Sequence, residues 1–312
     1  MSSQGITTVK LQSLPLVSSG KVRELYKIND SSLVMAVTDR ISAFDEILSN
    51  GIPDKGHILC QMSSHWFKVL AERVPELKHH VISMNPPAAP EVVTKEEKDL
   101  LRGRCMQIRS LKVFPIEAIV RGYITGSAWN EYEKKGTVHG IPMPAGMQPC
   151  SAFVGGPIYT PSTKAPAGEK DENISPEQAR KIIGDKYANK IEELALKVYK
   201  AAHEYAAEKG VVIADTKMEF GLDQETDEII LVDEVLTPDC SRFWPAPVKV
   251  GEEQPSYDKQ YIRNYLIANG LKGKPNVELP EEVVKETTNK YREVFEKLTG
   301  QTIDQAMAKL DA

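Results

Sequence analysis

The 312-residue chain is poor in cysteine and tryptophan, with four of the first and three of the second. Cys60, Cys105, Cys150 and Cys240 stand far apart and form no C-x-x-C pair. That argues against a disulfide framework or a cysteine-bound zinc and fits a reducing cytosol. No run approaches the ~20 apolar residues of a membrane span. The first residues, MSSQGITTVK, lack the apolar stretch of a signal peptide. The expectation is a cytoplasmic protein without a membrane partner. A basic excess is missing too. Lys and Arg number 39 against 44 Asp and Glu, a net charge of −5, which argues against binding nucleic acid over the whole surface. The six histidines show no H-x-x-x-H spacing, and none is assigned a role. With thiols and imidazoles set aside, any metal is expected to be oxygen-ligated and magnesium-like.

Length suggests about two domains and a substantial core. Residues 22–28 and 33–38 read as short strands around the turn NDSS. A helix is predicted over about 58–71, ending before Pro75. Residues 84–99 are Pro-rich, then charged, and read as a surface excursion. CMQIRSLKVFPIEAIVRGYIT gives two or three strands broken near Pro115, and SAWNEYEKKG a helix with Ser127 as N-cap, stopping at Gly136. Residues 140–174 carry six prolines and five glycines, too long for an idle connection and so a functional loop. Ser175-Pro176-Glu177-Gln178 matches a capping box with Pro at the first helical position. The helix it starts runs to Gly184, and a second one, from Asp185 to Gly210, has an apolar stripe of Ile191, Leu194, Ala195, Val198 and Ala202 that reads as core packing. A hairpin, a Pro-rich turn at 244–255 and helices near 257–269 and 280–299 follow. Strands early and helices late imply α+β and not a doubly wound parallel sheet.

The hairpin at 211–236 carries the chemistry. In VVIADTKMEFGL the alternation of a strand points Asp215, Lys217 and Glu219 one way and Thr216, Met218 and Phe220 the other. The return strand IILVDEVL brings Asp233. If Glu219 sits opposite Asp233, all four charged groups lie together; a slip of one residue puts Asp233 opposite Met218. Gathered acids need a cation. Lys217 is one candidate, and a divalent metal carrying a polyphosphate is another. The plain alternative is a solvated outer face, but the close apolar flanks favour the metal–nucleotide reading.

Further constellations surround it. Ser18-Ser19-Gly20-Lys21-Val22-Arg23 offers a glycine turn and two bases to a phosphate, though no G-x-x-x-x-G-K-[ST] loop is present; a solvated turn is the alternative. Arg121 to Ser127 runs from a strand end to a helix start, where anions bind, or where Ser127 simply caps a helix. Thr160 to Lys164 and Glu169-Lys170-Asp171-Glu172-Asn173 sit in the long loop and suit a substrate-contacting lid. Arg242 follows the hairpin closely enough to hold an anion beside the metal acids. Lys259 and Arg263, four apart on a helix, share a face. Cys240 has no histidine near it in sequence and reads as an inert thiol.

Together GKVREL, TDRISAFD, VRGYITGSAW, TPSTKA…DENIS, DTKMEFG and VDEVLTPDCSRFW resemble the SAICAR synthetases (phosphoribosylaminoimidazole-succinocarboxamide synthases), over residues about 14 to 300. Length and terminal helices are most similar to the monofunctional fungal form. The resemblance implies a two-domain α+β fold with ATP in the cleft between the parts. Residues 1–115 would form an N-terminal antiparallel β nucleotide-binding domain. Residues 116–312 would form a mixed α/β substrate and metal domain with terminal helices. It implies an ATP-dependent amide ligase of purine (IMP) synthesis that joins L-aspartate to carboxyaminoimidazole ribonucleotide through an acyl phosphate. The resemblance also implies magnesium as cofactor and a monomeric enzyme.

By resemblance Gly20, Lys21, Val22 and Arg23 lie over the ATP phosphates and Glu117 beside adenine. Glu219 and Asp233 are the magnesium–ATP acids, with Lys217 nearby. Arg121, Ser127 and Arg242 hold the ribonucleotide, with Lys259 and Arg263 at its phosphate. Lys164, Asp171, Asp215, Lys217 and Asp239 line the acyl-transfer site. Ser42 and Asp45 line the site without an assigned role. Cys240, where Ser or Gly is expected, and Lys170, where His is expected, depart from the family pattern. Two other readings compete: a kinase-like phosphotransferase, which lacks H-R-D and D-F-G here, and a non-catalytic nucleotide binder, which would not need the loop 140–174.

Overall fold

Residues 5–88, 92–165 and 170–310 are described by the computed structural model; Glu169 of the loop tip lies outside them. Alternating apolar residues build the first sheet. β1 (Leu16–Ser19), β2 (Arg23–Lys27) and β3 (Ser32–Val37) run up and down. A small hairpin of β4 (Ser42–Ala43) and β5 (Glu46–Ile47) leads into α1 (Lys55–Arg73), which ends before Pro75 as its sequence predicts. β6 (Lys78–His79), β7 (Val81–Ser83), α2 (Lys95–Leu101) and β8 (Cys105–Arg109) follow. The order β1-β2-β3-β8-β7 is antiparallel throughout. The stretch 84–99 is not wholly a surface excursion. Thr94 and Glu97 form a capping box that starts α2.

The second sheet is built on one long strand. After β9 (Lys112–Val113) and β10 (Ile116–Arg121) come α3 (Gly126–Lys135), β11 (Thr137–Val138), β12 (Ile141–Pro142), β13 (Ile158–Tyr159) and β14 (Ser162–Thr163). Next are α4 (Pro176–Ile183), α5 (Asp185–Ala207), β15 (Val211–Asp223), β16 (Glu228–Val232) and β17 (Ser241–Pro245). The chain ends with α6 (Gln260–Ala268), α7 (Glu281–Thr299) and α8 (Ile303–Ala308). Among the described residues these strands make an eight-stranded sheet in which β15 pairs with β10, β16, β17 and β9. β6 pairs parallel with β16, so segments from before residue 115 join this sheet. The architecture is α+β, as the strand-then-helix order implied.

α5 covers β15 and β10 with the stripe predicted from spacing; Ile191, Leu194, Ala195, Val198 and Ala202 are all buried. One apolar cluster runs from Met35 and Val37 through Ile58 and Trp66 of α1 to Phe220 of β15 and Phe295 of α7. Each fully buried side chain of this size contributes about 1.5–3 kcal/mol. The two sheets therefore share a core, and the groove between them has firm walls.

Three local expectations are corrected. Ser127 is not the N-cap of α3: Thr125 precedes the helix, and Gly126 turns the chain at φ 57, which leaves Ser127 inside the first turn. The turn expected at 244–255 starts later, because Ser241–Pro245 forms an unanticipated strand, β17, against β15. The hairpin register also differs from the one that would set Glu219 opposite Asp233. Glu219 pairs with Val232 and Asp223 with Glu228, around the loop 224–227. Asp227, at φ 58, sits in that loop, and loop length fixes register. Continued strand geometry would place Asp233 opposite Met218, facing away from Glu219. The strand stops first: Asp233 adopts φ 64, a left-handed conformation that Asp tolerates, and so turns back toward the acids.

Candidate active site

Between the sheets lies a cavity of about 840 Å³. β15 forms its floor. Asp215, Lys217 and Glu219 line it while Thr216, Met218 and Phe220 do not, as alternation requires. The Lys217 ammonium donates to Glu117 Oε1 at 2.7 Å and to Glu219 Oε1 at 3.2 Å. Lys164 pairs with the other oxygen of Glu219. Ser162 donates to Glu117 Oε2 at 2.9 Å. Burial opposes charge at both Glu219 and Lys217. Lys217 and Lys164 nevertheless hold Glu219 well below the usual carboxylate range, and Glu219 and Glu117 raise Lys217. Asp233 differs. Burial, with Glu219 and Glu234 adding to it, outweighs Arg23 and pushes it up to about 6.

The glycine turn crosses the mouth. Gly20 N–H donates to Arg23 O at 2.8 Å. Arg40 braces the turn from behind, donating to Gly20 O at 2.9 Å and Lys21 O at 3.1 Å while it pairs with Glu24 at 2.6 Å. Lys21 pairs with Asp45 at 2.6 Å, both largely exposed. Arg23 is buried. It meets Asp233 at 3.0 Å and also pairs with Glu234. Gly20, Lys21, Val22, Arg23 and Ser42 line the cavity; Asp45 reaches it only through Lys21. On the sheet side the wall is apolar, with Leu25, Leu33, Met35, Ile108 and Val232.

The other end is built from arginines. Arg121 Nη1 and Arg242 Nη1 both donate to Asp215 Oδ2, at 2.9 and 2.5 Å. Arg121 is further fixed by Thr160 at 3.1 Å and by Ser127, whose hydroxyl accepts from Nη2 at 3.3 Å. Ser127 thus supports Arg121 and does not itself line the cavity. Gly126 is required here: a Cβ on it would lie 2.5 Å from Arg242 Nη2. Lys259 and Arg263 line the same end. Asp239 is held by Lys55 at 2.7 Å, Lys259 at 3.2 Å and the Tyr291 hydroxyl at 3.0 Å. Asp171, on the loop, accepts from Ala165 N–H at 2.8 Å and faces the cavity beside Lys164.

The residues given individual roles from the sequence line one cavity, apart from Ser127 and Asp45, which stand one contact behind it; of the loop candidates Lys164 and Asp171 line it, while Thr160, Lys170, Glu172 and Asn173 do not. Among the contributors that went unnamed are Arg40, Lys55, His80 and Glu234. Arg40 lies inside TDRISAFD and Glu234 directly after Asp233, so both stood within quoted motifs. Lys55, between Ile52-Pro53 and Ile58-Leu59, carried a signal as a lone cation in an apolar stretch. His80 lines the cavity, and burial keeps its ring neutral, with a pKa near about 3. Cys240 is buried, and burial pushes its thiol up to about 11, in keeping with an inert role.

The arrangement suits bound polyanions. A groove dense in cations with a low-dielectric floor concentrates negative ligands, and two carboxylates facing it can share a hard cation with phosphate oxygens. Comparison with known proteins gives the same direction. The sequence model of the family described as SAICAR synthetase matches residues 16–280. A phosphoribosylaminoimidazole-succinocarboxamide synthase of Schizosaccharomyces pombe is 51% identical over 287 residues, 91% of this chain and 94% of that protein. Among solved structures, the SAICAR synthase of Saccharomyces cerevisiae complexed with SAICAR superposes with a TM-score of 0.86 at 46% identity, covering 95% of this chain and 99% of that one. A SAICAR synthetase in complex with ADP gives a TM-score of 0.66 at 26% identity, covering 92% and 99%. The chain belongs to the SAICAR synthetase family.

Proposed function

We propose that this cavity is the ligation site, in which ATP activates the carboxylate of carboxyaminoimidazole ribonucleotide for attack by L-aspartate. As a SAICAR synthetase, the chain is an ATP-dependent ligase of purine synthesis that yields SAICAR, ADP and phosphate. The observation that carries the site reading is the joining, in one cavity, of a glycine turn with the acid–lysine floor and an arginine end. The nucleotide takes the sheet side, with its phosphates under Gly20 to Arg23 and its base along the apolar wall toward Glu117. In this reading residues 1–115 supply that side and 116–312 the rest, with ATP in the cleft between them.

The donor set for a metal is all oxygen. Among the described residues no group of three or more His, Cys, Asp or Glu side chains could hold an ion. Two carboxylates, Glu219 and Asp233, face the cavity, which fits a magnesium ion that arrives with its nucleotide and keeps phosphate and water ligands. When bound, the ion offsets charge on the phosphates. Burial beside Glu219 and Glu234 disfavours the charged form of Asp233, and a cation would relieve this.

The chemistry needs two displacements. A carboxylate oxygen of the ribonucleotide attacks the γ-phosphorus and ADP leaves, giving an acyl phosphate. The aspartate amine then attacks the acyl carbon, phosphate leaves, and the amine gives up a proton. Lys164 and Lys217 offset charge where phosphate is transferred. Arg121 and Arg242, locked by Asp215, hold the ribonucleotide, and Lys259 with Arg263 take its phosphate. Asp215 and Asp239 are already engaged by cations. Asp171 is the acid best placed to receive the amine proton, since among the described residues its recorded partner is a backbone N–H. The enzyme acts in this reading as a cytoplasmic monomer, which light scattering on the purified chain tests.

A coupled ADP assay with the imidazole carboxylate nucleotide, with and without aspartate, tests the function. Release of ADP that requires both supports the ligase. Release independent of aspartate favours the phosphotransferase, and no release favours a binder.

A further inference from the structure

Behind the arginine end lies a charged cluster that reaches the cavity through Asp239 and Lys259. Lys55, the first residue of α1, has no exposed surface, and its ammonium donates to Asp239 Oδ2 at 2.7 Å. The same oxygen lies 3.2 Å from Lys259 Nζ. The second oxygen accepts from the Tyr291 hydroxyl at 3.0 Å. Asp54, beside Lys55, is gripped by Arg292, beside Tyr291, at 2.5 and 3.1 Å. The start of α1 is thereby pinned to α7, a helix beyond the residues that the family's sequence model matches.

A buried ammonium is a poor device for stability alone, because an apolar side chain of similar size does as well or better in a dry core. Its position has a specific consequence. Asp239 stands closer to Lys55 than to Lys259, and it lies between them. One carboxylate is shared by two ammonium groups. Lys259, which lines the cavity while Lys55 does not, therefore keeps positive charge for an anion in the cleft. Without Lys55, the carboxylate would have Lys259 as its one ammonium partner and cancel its charge.

We propose that Lys55 is a positioning residue for the ligation: by holding Asp239 it keeps the Lys259 ammonium available to the phosphate of the ribonucleotide. This rests on the assignment of Lys259 and Arg263 to that phosphate. The charged groups that act on Lys55 are Asp239, Lys259 and Glu234, and Tyr291 holds Asp239 from its other side. Burial, reinforced by Lys259 and opposed by Asp239, lowers Lys55 to about 8. Ribonucleotide affinity should accordingly fall as pH rises through about 8.

Calorimetric titration of aminoimidazole carboxamide ribonucleotide, and separately of ADP, tests the proposal. Lys55→Met should weaken the ribonucleotide about tenfold or more and leave ADP within about twofold. Tyr291→Phe should act in the same direction and less. Lys55→Met combined with Asp239→Asn should recover most of the ribonucleotide affinity, since no carboxylate remains to cancel Lys259; a merely structural role predicts no recovery. Lys259→Met is the control. If it binds the ribonucleotide as wild type does, the phosphate assignment fails and the proposal with it. If it binds poorly and Lys55→Met binds normally, the assignment stands and the proposal is overturned. Should Lys55→Met not fold, the wild-type enzyme decides: unchanged ribonucleotide affinity from about pH 7 to 9 overturns it.

Discussion

Replacing Gly126 by alanine tests the arginine end without removing any charge. Gly126 sits at φ 57, where a side chain is strained, at a cost of about 1–2 kcal/mol. The new Cβ would stand 2.5 Å from Arg242 Nη2 and 3.0 Å from its Cζ. An ordinary contact needs about 3.5 Å, so the guanidinium must retreat by about 1 Å. It has little to retreat to. Its Nη1 is committed to Asp215 at 2.5 Å, and Nε is buried without a partner among the described residues. A displacement of about 1 Å in a positioning group costs about a hundredfold in rate, or about 2.7 kcal/mol of transition-state stabilisation. With ATP and aspartate saturating, kcat/KM for the ribonucleotide should fall by about that factor. ADP affinity should be unchanged, and Tm should drop by only about 2–8 °C. A variant with the lower Tm but ribonucleotide kinetics within about threefold of wild type would remove Arg242 from substrate binding.

Other outcomes follow from the same geometry. Glu219→Gln or Asp233→Asn should cut turnover at least about a hundredfold with the far-UV spectrum and Tm largely kept, and chelation of magnesium should abolish ADP release; wild-type turnover in either variant removes the metal assignment. Cys240 is buried with a thiol pushed up to about 11 by burial, so iodoacetamide at pH 7.5 should leave activity intact, and Cys240→Ser should be close to neutral in kcat/KM. Glu97 accepts backbone N–H groups of Gln12 at 2.6 Å, Ser13 at 3.1 Å and Thr94 at 2.9 Å. Burial opposes its charge, yet hydrogen bonds from Ser13, Thr94 and Gln12 hold it down to about 2. Its contribution is therefore present above the ordinary glutamate pKa of about 4.3 and lost as pH falls toward about 2. Urea midpoints between pH 6 and 3 should fall less steeply in Glu97→Gln than in wild type.

Much of the scaffold was legible because its signals are local. The capping box at Ser175, the stop before Pro75 and the stripe of α5 each need only a few neighbouring residues. α2 was obscured because Thr94 to Glu97 carries a capping box that a Pro-rich, charged neighbourhood masks. β17 was obscured because Ser241–Pro245 becomes a strand by pairing with β15, a contact some 30 residues away in sequence. The charge network was half legible for the same reason. Asp215, Lys217 and Glu219 follow from alternation along one strand. Lys55 to Asp239 and Arg23 to Asp233 span 184 and 210 residues, and no periodicity reaches that far.

Asp233 shows how a different register can still bring an acid to the same cavity. A four-residue loop, Gln224 to Asp227, sets Glu219 against Val232, and the sequence DQETDE has no glycine to announce which turn it makes. Had β16 run one residue further, Asp233 would have shared the buried face of Met218, a charge without a partner. The left-handed turn at Asp233 ends the strand before that happens, and Arg23, reaching from the first sheet, receives the carboxylate. The acid's place therefore depends on both sheets being assembled. Arg23→Met should consequently harm more than phosphate binding: it leaves Asp233 and Glu234 without their arginine. The loss should appear as weaker ADP binding that extra magnesium partly restores, because a cation from solution can replace the one removed. Weaker binding that magnesium does not restore would mean that Arg23 serves the phosphates directly and does not hold the acid.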